Sequence, residues 1–290
     1  MNSPITFCIS TYNNLNYLKL AIHSVRKYSH FKDAPFIIYA ENCEDGTDCW
    51  LFENKHKYNI QFIIEKNTGG EIKGIGGGMN EGAKRVETEY IMFLHSDFFV
   101  SKNWDLEALK IFEKYPNIPM WVSSHRIQPN IFNEESRPGT LIVPNNSFGE
   151  YHHNFDEHSF VEYAEEFSKL NDIEFRKGEG VSGLIRKKDW NQVGGNDPLF
   201  SPASYEDMDL FVRMQLMGYK FVLTSKSVVW HFGARGSHRL EENNGKTSER
   251  QSNSERVNYT KWIKKWGHPP QFDDVGFVLP IYGTKVPLKI

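Results

Sequence analysis

Cysteine is scarce in this chain and is never spaced for metal binding. Three occur, Cys8, Cys43 and Cys49, an odd number without a C-x-x-C pair, so neither a disulfide framework nor a zinc knuckle is indicated. A reducing cytoplasm is the expected setting, with the inner membrane surface as a peripheral alternative. Also missing is any run of 18 apolar residues, and Met1-Asn2-Ser3-Pro4 opens the chain without a basic or apolar leader region. Membrane spanning and secretion are therefore not expected. Nor is there an excess of one charge: 34 Lys and Arg stand against 37 Asp and Glu, a formal net charge of −3, without the concentrated basic face that nucleic acid demands. Two phosphate-binding signatures are absent as well. Counted from Gly74, the last glycine of a dinucleotide fingerprint falls on Met79, and no Gly-Lys-Ser/Thr closes a Walker loop.

What is present is an ordinary globular composition, 39% hydrophobic and 24% charged, in a chain of 290 residues, long enough for one large α/β domain with an appendage. Its leading signal is Tyr90-Ile91-Met92-Phe93-Leu94-His95-Ser96-Asp97, an apolar run that reads as a buried strand of a parallel sheet and ends in a carboxylate. In open α/β sheets, ligands bind outside the carboxyl ends of the strands. The plain structural alternative for Asp97 is a cap for the helix that begins near Trp104.

Strands and helices alternate before that run. Ile5–Ser10 is a strand, and Leu15, Leu18, Ile22 and Val25 recur at helical spacing behind a cap expected at Asn13 or Asn14. Pro35–Ala40 and Ile60–Ile64 are further strands, with a helix from Thr47 to Lys57 between them. This is the pattern of parallel βαβ units. Asn67-Thr68-Gly69-Gly70 and the glycine-dense Lys73–Asn80 follow. They read either as a loop whose amides approach a phosphate, with Lys73 beside it, or as a sharp turn into a helix at Asn80–Val86.

After Asp97, Trp104–Tyr115 reads as a helix. From 117 to 180 prolines 116, 119, 129, 138 and 144 interrupt any period, so this part is expected as strands and loops that leave the parallel sheet and recognise an acceptor. His152, His153, Asp156 and His158 there follow no ligand spacing and read as a surface loop. Gly180–Arg186 returns as a strand, and Lys187–Val193 is a short helix ending at Gly194-Gly195. Tyr205–Met214 is a helix with acids Glu206, Asp207 and Asp209 in its first turn, and Lys220–Leu223 and Val228–His231 read as two last strands. Residues 233–256 are polar and read as a mobile loop. A helix with Val257, Trp262, Ile263 and Trp266 follows, the two tryptophans offering a contact surface.

Taken together, Ser10-Thr11-Tyr12-Asn13-Asn14, Glu41-Asn42-Cys43-Glu44-Asp45-Gly46-Thr47, Asn67-Thr68-Gly69-Gly70 and Leu94-His95-Ser96-Asp97 each follow a strand. With Gly183, Arg186, Glu206-Asp207-Met208-Asp209-Leu210 and Val229-Trp230-His231, this order resembles a family 2 glycosyltransferase of the GT-A fold over residues 5–232. The resemblance implies a Rossmann-like, mostly parallel twisted sheet flanked by helices, with a nucleotide-binding half (1–115), a smaller mixed acceptor half (116–232) and a C-terminal helical extension (257–290) after the loop. It implies an inverting transfer from a nucleotide-sugar donor, UDP-linked as the commonest case, to a carbohydrate or glycoconjugate acceptor. Thr11 and Tyr12 match positions lining the nucleoside pocket, Glu41 matches an acid that contacts base or ribose, and Asn13 and Ser96 are counted with the donor-facing positions. Asp97 matches the metal-binding end of the D-x-D motif, whose first position here is His95 instead of Asp. Asp207 matches the general base, with Glu206 its close rival.

Diphosphate departure calls for a divalent cation, Mn²⁺ or Mg²⁺, on Asp97, and His231, at the end of an apolar strand, is the expected second ligand. Arg235, with His238 and Arg239, reads either as a basic lid that folds over the diphosphate or as part of a plain solvated loop. Two rival readings stand beside this one. The first is a binding protein that keeps the fold without turnover, motivated by His95. The second is a nucleotidyltransferase, which needs a basic glycine-rich loop where Thr11-Tyr12-Asn13 stand.

Overall fold

The protein, seen in a computed structural model, is described for residues 3–67, 72–129, 140–143, 147–170, 173–174, 182–235, 238–244, 246–272 and 277–280. The expectations for Thr68-Gly69-Gly70, for prolines 138 and 144, for Gly180-Val181 and for the tail beyond 280 lie outside the described residues. The first half alternates as its apolar runs predict: β1 (Ile5–Thr11), α1 (Leu15–Tyr28), β2 (Phe36–Glu41), α2 (Thr47–Asn54), β3 (Ile60–Glu65), α3 (Gly74–Arg85) and β4 (Tyr90–His95). There follow β5 (Phe98–Val100), α4 (Trp104–Lys114), β6 (Met120–Pro129), β7 (Thr140–Val143), α5 (Glu157–Lys169), β8 (Ile173–Glu174), β9 (Gly183–Arg186), α6 (Lys187–Val193), α7 (Glu206–Leu216), β10 (Lys220–His231) and α8 (Glu249–Trp266).

All the strands belong to one sheet, in the order β3-β2-β1-β4-β9-β6-β10-β5, with β7 beside β6 and β8 beside β10. The run from β3 to β4 is parallel, β9 is antiparallel to both its neighbours, and β6 and β10 are parallel again. Both faces are covered, and alternate residues go to opposite sides. Ile5, Phe7 and Ile9 of β1 pack with Leu18, Ile22 and Val25 of α1 and Trp104 and Phe112 of α4. Cys8, pointing the other way, packs with Met79 and Ala83 of α3, and that second core extends to Leu210 of α7 and Trp262 of α8.

Several expectations are corrected. Neither Asn13 nor Asn14 caps α1 with its side chain; Asp45 Oδ2, from the loop after β2, accepts the Leu15 amide at 2.7 Å. The glycine-dense stretch is not a loop before a helix but the first turns of α3 itself. Glycine is needed there because α3 lies hard against its neighbours. A Cβ on Gly78 would stand 2.4 Å from Ser10 Oγ and 2.6 Å from the Tyr39 ring, and one on Gly74, where φ is +66°, would collide with the Pro202 backbone. Within the described residues of 117–180, β6 does not leave the sheet but is one of its inner strands, and the amphipathic α5 is capped by Asp156 on the Ser159 amide. The two last strands are one strand, β10, with a register shift between Thr224 and Val228.

The last helix begins at Glu249, eight residues before Val257, so the polar stretch 249–256 is helical. Trp262 is not a contact surface: it is fully buried, and Trp266 donates its indole N–H to Asp209 at 3.1 Å. The three cysteines are free. Among the described residues no helix is long and apolar enough to cross a membrane.

Candidate functional site

Ser10 of β1 lies beside His95 of β4 in parallel register, so the segments that leave these strands run side by side. Asn14 ties them together by donating to Ser96 Oγ at 2.8 Å. The chain then turns at Ser96-Asp97 into β5, whose Phe98 pairs antiparallel with His231 at the end of β10. Strand pairing thus carries His231 to Asp97. The Phe232 amide donates to the Asp97 carbonyl at 3.1 Å and the Ala234 amide to Asp97 Oδ2 at 2.7 Å. His231 Nε2 stands 3.4 Å from that same Oδ2.

One ligand atom from each of His95, Asp97 and His231 lies within 4.8 Å of the others. His231 Nδ1 is hydrogen-bonded to Gln128 Oε1 of β6 at 2.9 Å, which turns Nε2 toward Asp97. His95 Nε2 is buried and has no partner. Burial would raise the Asp97 carboxyl, but His231, His95 and the Ala234 amide outweigh it and hold Asp97 well below the ordinary carboxylate range. Burial draws His95 down to about 4 and His231 downward too. The cluster thus brings one carboxylate oxygen and two imidazole nitrogens, one of them unpartnered, to a single point, the donor set that a bound cation would take up. These residues fit a divalent first-row metal, and Gln128 is the outer partner that orients a ligating imidazole.

The cluster forms part of a cleft of about 330 Å³, within the range of small-molecule sites. Thr11, Tyr12, Glu41, His95, Ser96, Asp97, Glu206, Asp207 and His231 all line it. Glu41 spends its carboxylate on the start of α3: Oε1 accepts from the Lys73 amide at 2.7 Å and Asn67 Nδ2 at 2.8 Å, and Oε2 from the Gly74 amide at 2.8 Å. That satisfies donors at the start of the helix. Glu206 and Asp207 open α7 behind Ser204 and Tyr205, both at positive φ. Asp209, expected to support the turn, is fully buried and pairs with Arg213 at 2.8 Å and Lys265 at 2.5 Å.

Three expected donor residues do not line the cleft. Asn13 pins the loops after β1 and β2 by accepting the Glu44 amide at 2.7 Å. Lys73 pairs with Glu65 at 2.9 Å and Glu81 at 3.5 Å. Arg235 is buried, pairs with Glu150 and lies over the Tyr151 ring at 5.3 Å, so it is no lid. Of that basic group, His238 lines the cleft. His152 packs edge-on to Tyr17, and His153 faces Glu241 at 3.9 Å, so no second histidine metal cluster forms among the described residues.

The cation that sequence reasoning missed is Arg250, in the first turn of α8, with its guanidinium 4.5 Å over the Tyr12 ring. Gln251 and Ser254 join it in lining the cleft. The signal was readable: Ser248-Glu249-Arg250-Gln251 has the spacing of a capping box, and Ser248 Oγ accepts the Gln251 amide at 3.3 Å. α8 is clamped to the segment before α7. Asn258 Nδ2 donates to the carbonyls of Phe200, Ala203 and Ser204 at 2.7, 2.8 and 3.0 Å, and Gln251 Nε2 to Ser204 Oγ at 2.8 Å.

Residues 6–183 match the model of Glycosyl transferase family 2. A poly-beta-1,6-N-acetyl-D-glucosamine synthase of Staphylococcus epidermidis is 21% identical over 232 residues, covering 78% of this chain and 49% of that protein. The chain thus spans about half the length of the curated relatives it matches. Among solved structures, GalNAc-T7 with UDP, GalNAc and Mn²⁺ superposes with a TM-score of 0.61 at 12% identity, over 93% of this chain and 48% of the other. S. aureus TarS in complex with UDP-GlcNAc superposes with a TM-score of 0.52 at 14% identity, over 93% and 74%. These likenesses establish a GT-A-type fold.

Proposed function

The chain belongs to Glycosyl transferase family 2, and from that premise we propose that it is a metal-dependent, inverting glycosyltransferase acting on a nucleotide-diphosphate sugar. The observation that carries the metal is the partnerless, buried His95 Nε2 beside Asp97 and His231, in the same cleft as Asp207. In this reading Asp97, His231 and His95 are the protein ligands, and His95 serves the cation in place of the acid usual at its position. A divalent ion held there supplies charge stabilisation for the departing diphosphate.

Thr11 and Tyr12 face the nucleoside, Arg250 and His238 bring further positive or donor groups to the cleft, and Asp207 receives the proton of the acceptor hydroxyl. As that proton moves to the Asp207 carboxylate, the acceptor oxygen bonds to the anomeric carbon from the face remote from the diphosphate. The old bond's electron pair leaves with the diphosphate, inverting the centre. The relatives' names make a UDP-N-acetylhexosamine the first donor to try and polysaccharide or glycoconjugate synthesis the setting, on the cytoplasmic side of the membrane. The binding-protein reading drew on His95, and a ligand role for His95 removes that motive. The nucleotidyltransferase reading gains no basic glycine-rich loop after β1.

Thermal unfolding tests this reading with UDP-GlcNAc, UDP-GalNAc, UDP-glucose and GDP-mannose, each with Mn²⁺, Mg²⁺ or chelator. A donor at 100 times its Kd adds about 2.7 kcal/mol of stability. Stabilisation should require both nucleotide and metal, and should disappear in Asp97→Ala. Equal stabilisation with chelator would overturn the metal assignment. No response to any donor, with no hydrolysis or transfer, would overturn the enzyme.

A further inference from the structure

Glu206 and Asp207 lie side by side at the start of α7, and both line the cleft, yet their surroundings differ. Glu206 is more than nine-tenths buried, and its Oε2 has no hydrogen-bond partner. It is wedged against the start of α3, where a Cβ on Gly76 would stand 3.1 Å from Glu206 Cγ and 3.2 Å from Asn196 Cβ. Asn196, the polar neighbour, turns its Nδ2 to the Gly76 carbonyl at 3.3 Å and Met79 Sδ at 3.6 Å, leaving its own Oδ1 unpartnered. Among the described residues no group donates to Oε2, and the Glu206 backbone amide is the one hydrogen-bond donor that favours the carboxylate form. Glu41, in the same cleft, shows the contrast, with its two oxygens taking three N–H groups.

We propose that Glu206 acts as a neutral carboxylic acid whose O–H donates to a sugar hydroxyl oxygen in the cleft, leaving Asp207 alone to take the acceptor's proton. The assignment rests on the glycosyltransferase reading above. A second carboxylate beside Asp207 would repel both its neighbour and an incoming diphosphate, whereas a neutral acid repels neither and still orients a sugar. Burial first, and the Asp207 charge second, hold the Glu206 carboxyl well above the ordinary carboxylate range. The other titratable groups of the cleft are Tyr12 after β1, Glu41 and Tyr39 on β2, Arg250 on α8, His238, and the His95–Asp97–His231 cluster; none of these acts on Glu206, whose one charged influence is Asp207. A buried acid kept neutral so that it can donate is an established device in enzymes.

Two measurements separate this proposal from the reading beneath it. The first needs no turnover: stability of the wild type and Glu206→Gln from about pH 5 to pH 9. With its folded-state value raised, Glu206 binds its proton more tightly folded than unfolded. The wild type should therefore lose stability as pH climbs above the unfolded value of about 4.3, and the loss attributable to this group should be absent in Glu206→Gln. Parallel curves would overturn the neutral acid whether or not the protein is an enzyme. The second is donor hydrolysis or transfer with Mn²⁺ and UDP-GlcNAc, or whichever donor stabilises the wild type. Glu206→Gln, whose amide still donates, should keep kcat/KM within about threefold and lose any alkaline limb, while Glu206→Ala should lose about tenfold, one hydrogen bond's worth. A weakening confined to nucleotide-sugar relative to free UDP places the hydroxyl on the donor, and one confined to the acceptor KM places it on the acceptor. Loss of about 10² or more in Glu206→Gln, with Asp207→Asn spared, would make Glu206 the base and overturn the proposal. An inert wild type with a pH-dependent stability difference would instead sink the glycosyltransferase reading and leave the neutral acid standing.

Discussion

The histidine-bearing wall of the cleft and its acid-bearing wall are assembled from different materials. His95, Gln128 and His231 stand at or near the ends of β4, β6 and β10, with Asp97 between β4 and β5, so backbone ladders set their spacing. Glu206 and Asp207 instead open a helix behind two residues at positive φ, and the segment leading to them is held by α8 side chains some 50 residues further along, above all Asn258. A wall made of paired strands is positioned by many hydrogen bonds that no single side chain controls. A wall made of a clamped helix start depends on a few side chains, and on glycines that allow α3 to approach. The two walls should therefore fail separately.

The largest separation is expected from Asp207→Asn. Transfer should fall by about 10² or more, while Mn²⁺-dependent stabilisation by nucleotide stays near wild type. A loss of nucleotide binding as large as the loss of transfer would mean that the walls are not independent. Gln128→Ala attacks the other wall through its outer shell. Removing the partner that orients His231 should weaken metal affinity about 10–100-fold, read by titrating Mn²⁺ against nucleotide-induced stabilisation, and unchanged affinity would detach Gln128 from the site. Asn258→Ala leaves three carbonyls without their donor and should cost about 1–3 kcal/mol in urea unfolding. It should lower transfer while Mn²⁺ affinity is spared, and the reverse pattern would remove α8 from the acid wall. Smallest of all, Lys73→Ala breaks a pair that is 41% exposed on the lysine side and should cost no more than about 1 kcal/mol. Donor affinity should not move, and a clear drop would return Lys73 to the phosphate.

Much of this architecture was readable from the chain. The runs at β1, β2 and β4 carry enough apolar residues to be buried on both faces, and burial on both faces is what a central parallel strand requires. Ligands gather where such strands end, and Thr11, Glu41, Asp97 and His231, each at or just after a strand end, line one cleft. The irregular half was less legible. Proline 119 and proline 129 fall at the edges of β6, where they spoil a periodic reading without breaking a ladder. The capping signal at Ser248 was masked by a polar stretch, because α8 carries few apolar residues and rests chiefly on Trp262 and Asn258.

The sequence by itself determined the family, the alternation of strand and helix, and which carboxylates stand at strand ends and helix starts, because hydrophobic period and chain order are local properties. Tertiary structure decided which polar side chains meet. Lys73 found Glu65 and Glu81, Arg235 found Glu150, Arg250 reached Tyr12, and His95 was left with a bare nitrogen beside Asp97 and His231. Charged groups take partners by distance and desolvation, and those depend on residues brought together only when the sheet has closed and α8 has packed down.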